Sequence, residues 1–416
     1  MQQPAPARPP RPAKATLVAG LDVTRDGCLA VICDVASGAR VRIGRARTAT
    51  PNDPAGWWQA LHDAIIDAGG FGDVSAFALA AHPGLVALDA QGEVVHADSP
   101  TPGNPTSGGS ASGASARAAQ ALIGEIGADA LIDRTGALPD AATPIAAVRA
   151  LREQEPDAAA RVDAVLTPHD WLTWLLRGFG PQGPNGPRLE ELATDRSEAS
   201  ATGWWNPTTG KYEHALVAAA LGHAAIKPRV MRPDGWGGEA AKWPELHIRT
   251  ARVIGAGATR RAAAVLGAGV RGAAPEDAIV LLGARPVVCA VADEPIRDAQ
   301  VACRADATGR YLLEAPLPQA PTAADVAAAA LLLREAGTPV KRLHIIVDDS
   351  ANASAAAGAT GPTVTLDPAE VAAALDGAHP VVPVAQPQFL VADGMAAQAA
   401  WAHTRRLPQW MSVVRA

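Results

Sequence analysis

The chain has 416 residues, of which 48% are apolar and 19% charged, and a net charge of -6. That length holds two domains with a core each and that balance excludes wholesale disorder. Net acidity excludes a nucleic-acid or anionic-membrane surface, which needs clustered Lys and Arg, and no run approaches the roughly 18 apolar residues of a membrane helix.

Lysine occurs only at Lys14, Lys211, Lys227, Lys242 and Lys341, and alanine is abundant. Together these read as a GC-rich coding bias. Cys28, Cys33, Cys289 and Cys303 show no CxxC and no Cys/His metal spacing, which fits a reducing, cytoplasmic compartment. Residues 1–14 form a Pro/Arg-rich tail with no apolar signal region, expected to be disordered.

In chain order, apolar runs at Thr16–Asp22 and Cys28–Asp34 flank Arg25-Asp26-Gly27, which predicts a β-hairpin. Cys28 and Cys33, five residues apart, should project to opposite faces of their strand and sit in core. A strand is expected at Val41–Arg47, a helix from Asp53 to Ala68, and strands at Val74–Ala81 and Leu85–Leu88. Ser99–Ser115 reads as a loop, followed by helices over Arg117–Ile132, Ala141–Glu155, Pro156–Leu166 and His169–Arg177, then a loop at Phe179–Pro187 and a short helix at Glu213–Leu221. A second domain is expected from residue 251. It holds a strand at Arg252–Ile254, a helix at Thr259–Gly267, paired strands at Ala278–Leu282 and Val287–Val291, and a strand at Tyr311–Glu314. Thr322–Ala336 is a helix with Thr322 as N-cap, Leu343–Val347 a buried strand, and Asp393–His403 a closing helix. The domain division is thus 1–14, 15–250 and 251–416.

The most specific stretch is Thr167-Pro168-His169-Asp170-Trp171-Leu172-Thr173-Trp174, followed by Thr194-Asp195-Arg196-Ser197-Glu198-Ala199-Ser200-Ala201-Thr202-Gly203-Trp204-Trp205. It resembles the PHDWLTWRL helix and TDRSDASGTGYW segment of the xylulokinase-like members of the FGGY family of carbohydrate kinases. The resemblance implies a two-lobed α/β fold of the ribonuclease H-like (actin/Hsp70/sugar kinase) type, to which the strand-strand-strand-helix-strand opening also fits. The second domain is then shorter than in the family, by most of the helical region between Tyr311 and Leu343. The family reaction is the Mg-ATP-dependent phosphorylation of a pentulose such as D-xylulose. It works by positioning: an Asp near the metal, backbone amides around the phosphates, and a second Asp that takes the hydroxyl proton.

Carried over position by position, the resemblance thins at the chemistry. The family's DSSTQS hairpin falls on Asp22-Val23-Thr24-Arg25-Asp26-Gly27, so Asp22 is the candidate metal ligand, with Thr24 beside the nucleotide. GQQHGM falls on Ala80-Ala81-His82-Pro83-Gly84-Leu85, with His82 one residue out of register as a candidate sugar contact. The W-N-D-x-R sugar segment has no counterpart. G-x-G-T-G-D-N falls on Gly255-Ala256-Gly257-Ala258-Thr259-Arg260-Arg261, so the general-base Asp is Arg260. Arginine carries no acceptor and stays protonated, so it cannot take a proton. The phosphate turn GTSGT falls on Gly283-Ala284-Arg285-Pro286-Val287, keeping the Gly283 candidate contact but placing a proline where an N–H is needed. Asp348-Asp349-Ser350-Ala351-Asn352 replaces the adenosine-side glycine loop.

Three readings follow. The chain is a xylulokinase-like protein with impaired or no kinase activity, retained as a binding or regulatory protein, as a homodimer or paired with an active paralogue. It is an active sugar kinase that uses another base, such as Asp22 or Asp26. Or it is a module that binds an anion, a sugar or phosphate ligand, through Arg260, Arg261 and Arg285.

Overall fold

In the computed structural model, which describes residues 15–98, 110–250, 252–270, 272–283, 285–347, 366–375, 380–384 and 386–410, the expected hairpin opens the fold. Strand β1 (Leu17–Thr24) pairs antiparallel with β2 (Gly27–Asp34), from Leu17↔Asp34 to Thr24↔Gly27, and β3 (Arg40–Arg47) adds outside β2. Helix α1 (Pro54–Asp67) is capped by the Asp53 carboxylate, which accepts from the Ala55 amide, and β4 (Val74–Ala81) returns parallel to β1. Strand alternation puts Cys28 in the core beneath α1 and Cys33 in the core on the opposite face.

Next come β5 (Leu85–Leu88), β6 (Val94–Asp98), α2 (Ser110–Ile126), α3 (Ala128–Thr135), α4 (Pro144–Gln154), the short α5 (Pro156–Ala159) and β7 (Ala164–Leu166). Here the helix expected across Pro156–Leu166 stops at Ala159. Ala164–Leu166 instead pairs antiparallel with β5, because a short apolar run takes the form its partner offers. The loop expected over Ser99–Ser115 gives way to α2 from Ser110, while residues 99–109 and the tail 1–14 lie outside the described residues.

Helix α6 (Pro168–Leu176) starts on a capping box: Thr167 Oγ accepts the Asp170 amide, and the Asp170 carboxylate accepts the Thr167 amide. It is followed by β8 (Ala193–Thr194), α7 (Arg196–Ala201), β9 (Trp205–Asn206), β10 (Lys211–Tyr212), α8 (His214–Leu221), β11 (Arg229–Val230) and β12 (Trp236–Glu239). Trp174, Trp204 and Trp205 are fully buried, so this aromatic block packs inside the chain.

Strand β13 (Val253–Gly255) runs parallel to β4 and antiparallel to β12, giving a first sheet of order β12-β13-β4-β1-β2-β3. The first sheet therefore takes in residues beyond 250, where the sequence reading opens the second domain. Helix α9 (Arg260–Val270) leads to β14 (Ala278–Leu282), β15 (Val287–Ala292), β16 (Ala302–Ala305) and β17 (Tyr311–Pro316). The single helix α10 (Ala323–Glu335), opened by a Thr322/Asp325 capping box, joins β17 to β18 (Leu343–Val347). Then come α11 (Pro368–Ala374), β19 (Val381–Pro383) and α12 (Leu390–Thr404), and the second sheet has order β16-β17-β15-β14-β18-β19.

Helices α9 and α12 lie between the sheets, and one continuous core joins Val18 and Ala78 of the first sheet to Ile279 and Leu312 of the second through Ala262 and Met395. They pack almost backbone to backbone. A Cβ at Gly267 would fall 1.9 Å from the Leu390 carbonyl oxygen, and one at Gly394 would fall 2.1 Å from that of Ala263. At these positions the glycines set the helix spacing. Among the described residues, no helix is long and apolar enough to cross a membrane.

Candidate active site

The turn from β13 into α9, residues 255–259, where the resemblance leads one to expect the family's base loop, is held from three sides. Gln398 of α12 clamps Gly257: its Oε1 accepts the Gly257 amide at 2.6 Å and its Nε2 donates to the Gly257 carbonyl at 2.7 Å. Gly257 has φ +82°, and a Cβ there would sit 1.9 Å from His169 Nε2, so only glycine fits. Ser197 Oγ of α7 accepts the Thr259 amide at 2.9 Å, and Thr259 Oγ1 in turn accepts the Ala262 amide, capping α9.

Consecutive residues on a helix diverge by about 100°, and α9 uses this to send its first two side chains to opposite sheets. Arg260 turns to the first sheet and grips Asp22 of β1 with two bonds, Nε to Oδ1 at 2.6 Å and Nη2 to Oδ2 at 3.1 Å. Arg261 turns to the second sheet, where Nη1 donates to Glu314 Oε2 of β17 at 2.8 Å and Nη2 to the Arg285 carbonyl at 3.3 Å. The residue expected at the base position and the candidate metal ligand are therefore each other's partners. This pairing spans 238 positions and has no local signal in the sequence.

The other candidates are placed as follows. Thr24 Oγ1 donates to the Gly27 carbonyl, closing its own hairpin. His82 is buried edge-on to the Trp57 ring, 4.4 Å between centroids, with Nδ1 3.2 Å from the Pro83 carbonyl oxygen. Burial first, and then the charges of Arg25 and Arg260, pull its pKa down to about 3, so it is neutral at physiological pH. Gly283 follows β14, two residues before Arg285. Ala284 and residues 348–352 lie outside the described residues. Asp26 is exposed at the tip of the hairpin.

Of the three arginines expected to meet here, Arg261 and Arg285 are neighbours, while Arg260 is taken up by Asp22. A third cation beside them, with no local signal in the sequence, is Arg304 of β16, which donates from Nη1 to the Ser200 carbonyl at 2.5 Å. Burial and the neighbouring charge of Arg261 lower the pKa of both Arg285 and Arg304. Arg261 is desolvated as well, yet Glu314 holds its pKa above the ordinary value. The carboxylate facing Arg285 is Asp140, across the cleft at 3.9 Å, beyond hydrogen-bond reach.

Behind this turn lies a second group, drawn from the two motifs that carry the family resemblance. His169 Nδ1 meets Asp170 Oδ1 at 2.9 Å, and Asp195 Oδ1 accepts from the Ser197 hydroxyl and the Ser197 and Glu198 amides. All four ionisable residues, His169, Asp170, Asp195 and Glu198, are buried. Burial works against the His169 charge, but the bond to Asp170 and the charges of Asp170, Glu198 and Asp195 lift its pKa to about 9. Burial raises Asp195 to about 6 and Glu198 well above its ordinary value. The available signal was four ionisable residues set among Trp and Leu in two short motifs.

The two sheets with their shared helical layer define a two-domain sugar-kinase fold. The chain superposes on the xylulose kinase of Bifidobacterium adolescentis with a TM-score of 0.77 over 95% of each chain, at 24% identity. In sequence it is 34% identical over 311 residues to the xylulose kinase of Streptomyces coelicolor, and 34% identical over 339 residues to that of Streptomyces rubiginosus. Those matches take in 72% and 79% of this chain but 60% and 66% of the two relatives. The N-terminal domain of the FGGY family of carbohydrate kinases matches residues 109–234. The chain belongs to the FGGY family of carbohydrate kinases.

Proposed function

We propose that this chain is a xylulokinase-like member of the family that transfers phosphate poorly or not at all, and that it acts by binding. The observation that carries the reading is the two-bond pair between Arg260 and Asp22. Family members need a carboxylate to accept the sugar's proton, and losing a general base removes roughly 10²–10⁴ in rate. Here that position is a cation, and the nearby carboxylate that could substitute for it, Asp22, has both oxygens engaged.

Mg-ATP also fits these residues badly. A metal ion would have to displace a guanidinium from the Asp22 oxygens, and Pro286 offers no amide to a phosphate. An active kinase using Asp22 as base would need the same pair to open, and Asp26 is exposed at the far end of the hairpin. The test is ADP release with D-xylulose and Mg-ATP, run beside Arg260→Asp/Arg261→Asn. The reading expects no sugar-dependent release from the unmodified chain; clear turnover by it would sink the reading.

A further inference from the structure

The cleft on the second-sheet side of α9 is not symmetrical in charge. Arg261, Arg285 and Arg304 face two carboxylates, Glu314 and Asp140, so the group carries an excess of one positive charge. The two acids are not equivalent. Glu314 is 12% exposed and bonded to Arg261, whereas Asp140 is 64% exposed and stands 3.9 Å from Arg285. Asp140 comes from the loop before α4 in the first lobe, and Arg285 precedes β15 in the second. Arg285 is 38% exposed; its carbonyl accepts from Arg261, while its guanidinium makes no hydrogen bond among the described residues. Its guanidinium is thus an open fork, faced across the cleft by Asp140 Oδ2, while Asp140 Oδ1 is held in its own loop by the Ala142 amide and the Thr143 hydroxyl.

We propose that this cluster is a binding site for a phosphate group, free or carried as a monoester, which displaces Asp140 and is held by Arg285 with Arg261 and Arg304. With Asp140 displaced, three guanidiniums face one carboxylate, and the excess of two positive charges matches a phosphate dianion. A planar fork binds tetrahedral oxyanions in two-bond geometry, which ammonium groups do not. Arg260 takes no part, because Asp22 neutralises it. The inference goes beyond the loss of phosphoryl transfer, since a cleft without a base could equally be empty.

The experiment is a calorimetric titration of the full chain at constant ionic strength with inorganic phosphate and, separately, ribose 5-phosphate. Arg285→Ala should weaken binding roughly 10-fold or more, the loss expected for a hydrogen bond to a charged group. Arg285→Lys, which keeps the charge without the fork, should fall between. Asp140→Asn removes the competing anion and should tighten binding several-fold, roughly what one exposed ion pair is worth. Equal binding of both ligands assigns the site to the phosphate itself; binding of ribose 5-phosphate alone assigns it to a monoester. Absence of binding by both, indifference to Arg285→Ala, or weaker binding by Asp140→Asn each overturns the proposal. Because the readout is binding, turnover by the unmodified chain would refute the proposed function and leave this inference standing.

Discussion

Arg260→Ala is the perturbation whose cost can be worked out from the geometry. The Arg260 and Asp22 side chains are 20% and 8% exposed, so solvent screens the pair little. Cutting one partner from a buried pair typically costs about 3–5 kcal/mol, mostly from the charge left behind. Residual exposure of the Arg260 side places the expected loss near the lower end, about 3 kcal/mol. Asp22→Asn/Arg260→Ala, with no charge left to strand, should recover to within about 1 kcal/mol of the unmodified protein. Urea unfolding followed by tryptophan fluorescence gives these differences, the buried Trp57 lying in the first-lobe core beneath the same sheet. A loss below about 0.5 kcal/mol in Arg260→Ala at pH 8, or a double variant no better than the single one, would refute the reasoning, since surface-type substitutions stay within that range.

His169 gives a pH signature: its pKa is raised from 6.5 to about 9 in the fold, so its stabilisation is complete below pH 6.5 and lost as pH rises through 9. Melting temperatures should fall over that window, and His169→Gln should flatten the fall; an unchanged slope would remove His169 as the cause. Gly257→Ala combines a left-handed backbone with a Cβ 1.9 Å from His169 Nε2. The backbone alone costs roughly 1–3 kcal/mol, so folded yield should drop sharply, and a near-normal melt would contradict the placement of the loop. Gln398→Leu strands the buried amide and carbonyl of Gly257, at roughly 1–3 kcal/mol each, measured by the same urea series. Thr322→Ala removes the cap of α10 and should cost about 1 kcal/mol, a small shift that calibrates the larger ones.

Much of the fold was legible because its elements carry their own local chemistry. The Asp-Gly turn fixed the first hairpin, Asp53 and Thr322 marked helix starts, and the β14 and β15 runs declared a strand pair. What was illegible depends on partners distant in sequence. β7 is a strand only because β5 offers an edge, and the two-residue strands from β8 to β11 have too few residues for any periodicity. β13 reads as a strand from its own residues, but its membership of the first sheet comes from β4.

The site divides the same way. That an arginine, Arg260, stands where the family resemblance expects the base could be read from the β13–α9 turn. That it locks onto Asp22, that Arg304 replaces it in the cationic cluster, and that Asp140 faces Arg285 from the other lobe could not, since each joins segments far apart in the chain. The tryptophan-rich block identified the family and turned out to be buried packing, with a set of buried charges behind the turn from β13 into α9.

The central claim is that a xylulokinase frame has lost phosphoryl transfer because its base position is an arginine paired with Asp22. Phosphorus NMR of the unmodified chain incubated with D-xylulose and Mg-ATP tests it most directly. The account predicts no sugar-phosphate signal above the protein-free control, and a pentulose phosphate accumulating with time and enzyme concentration would contradict it.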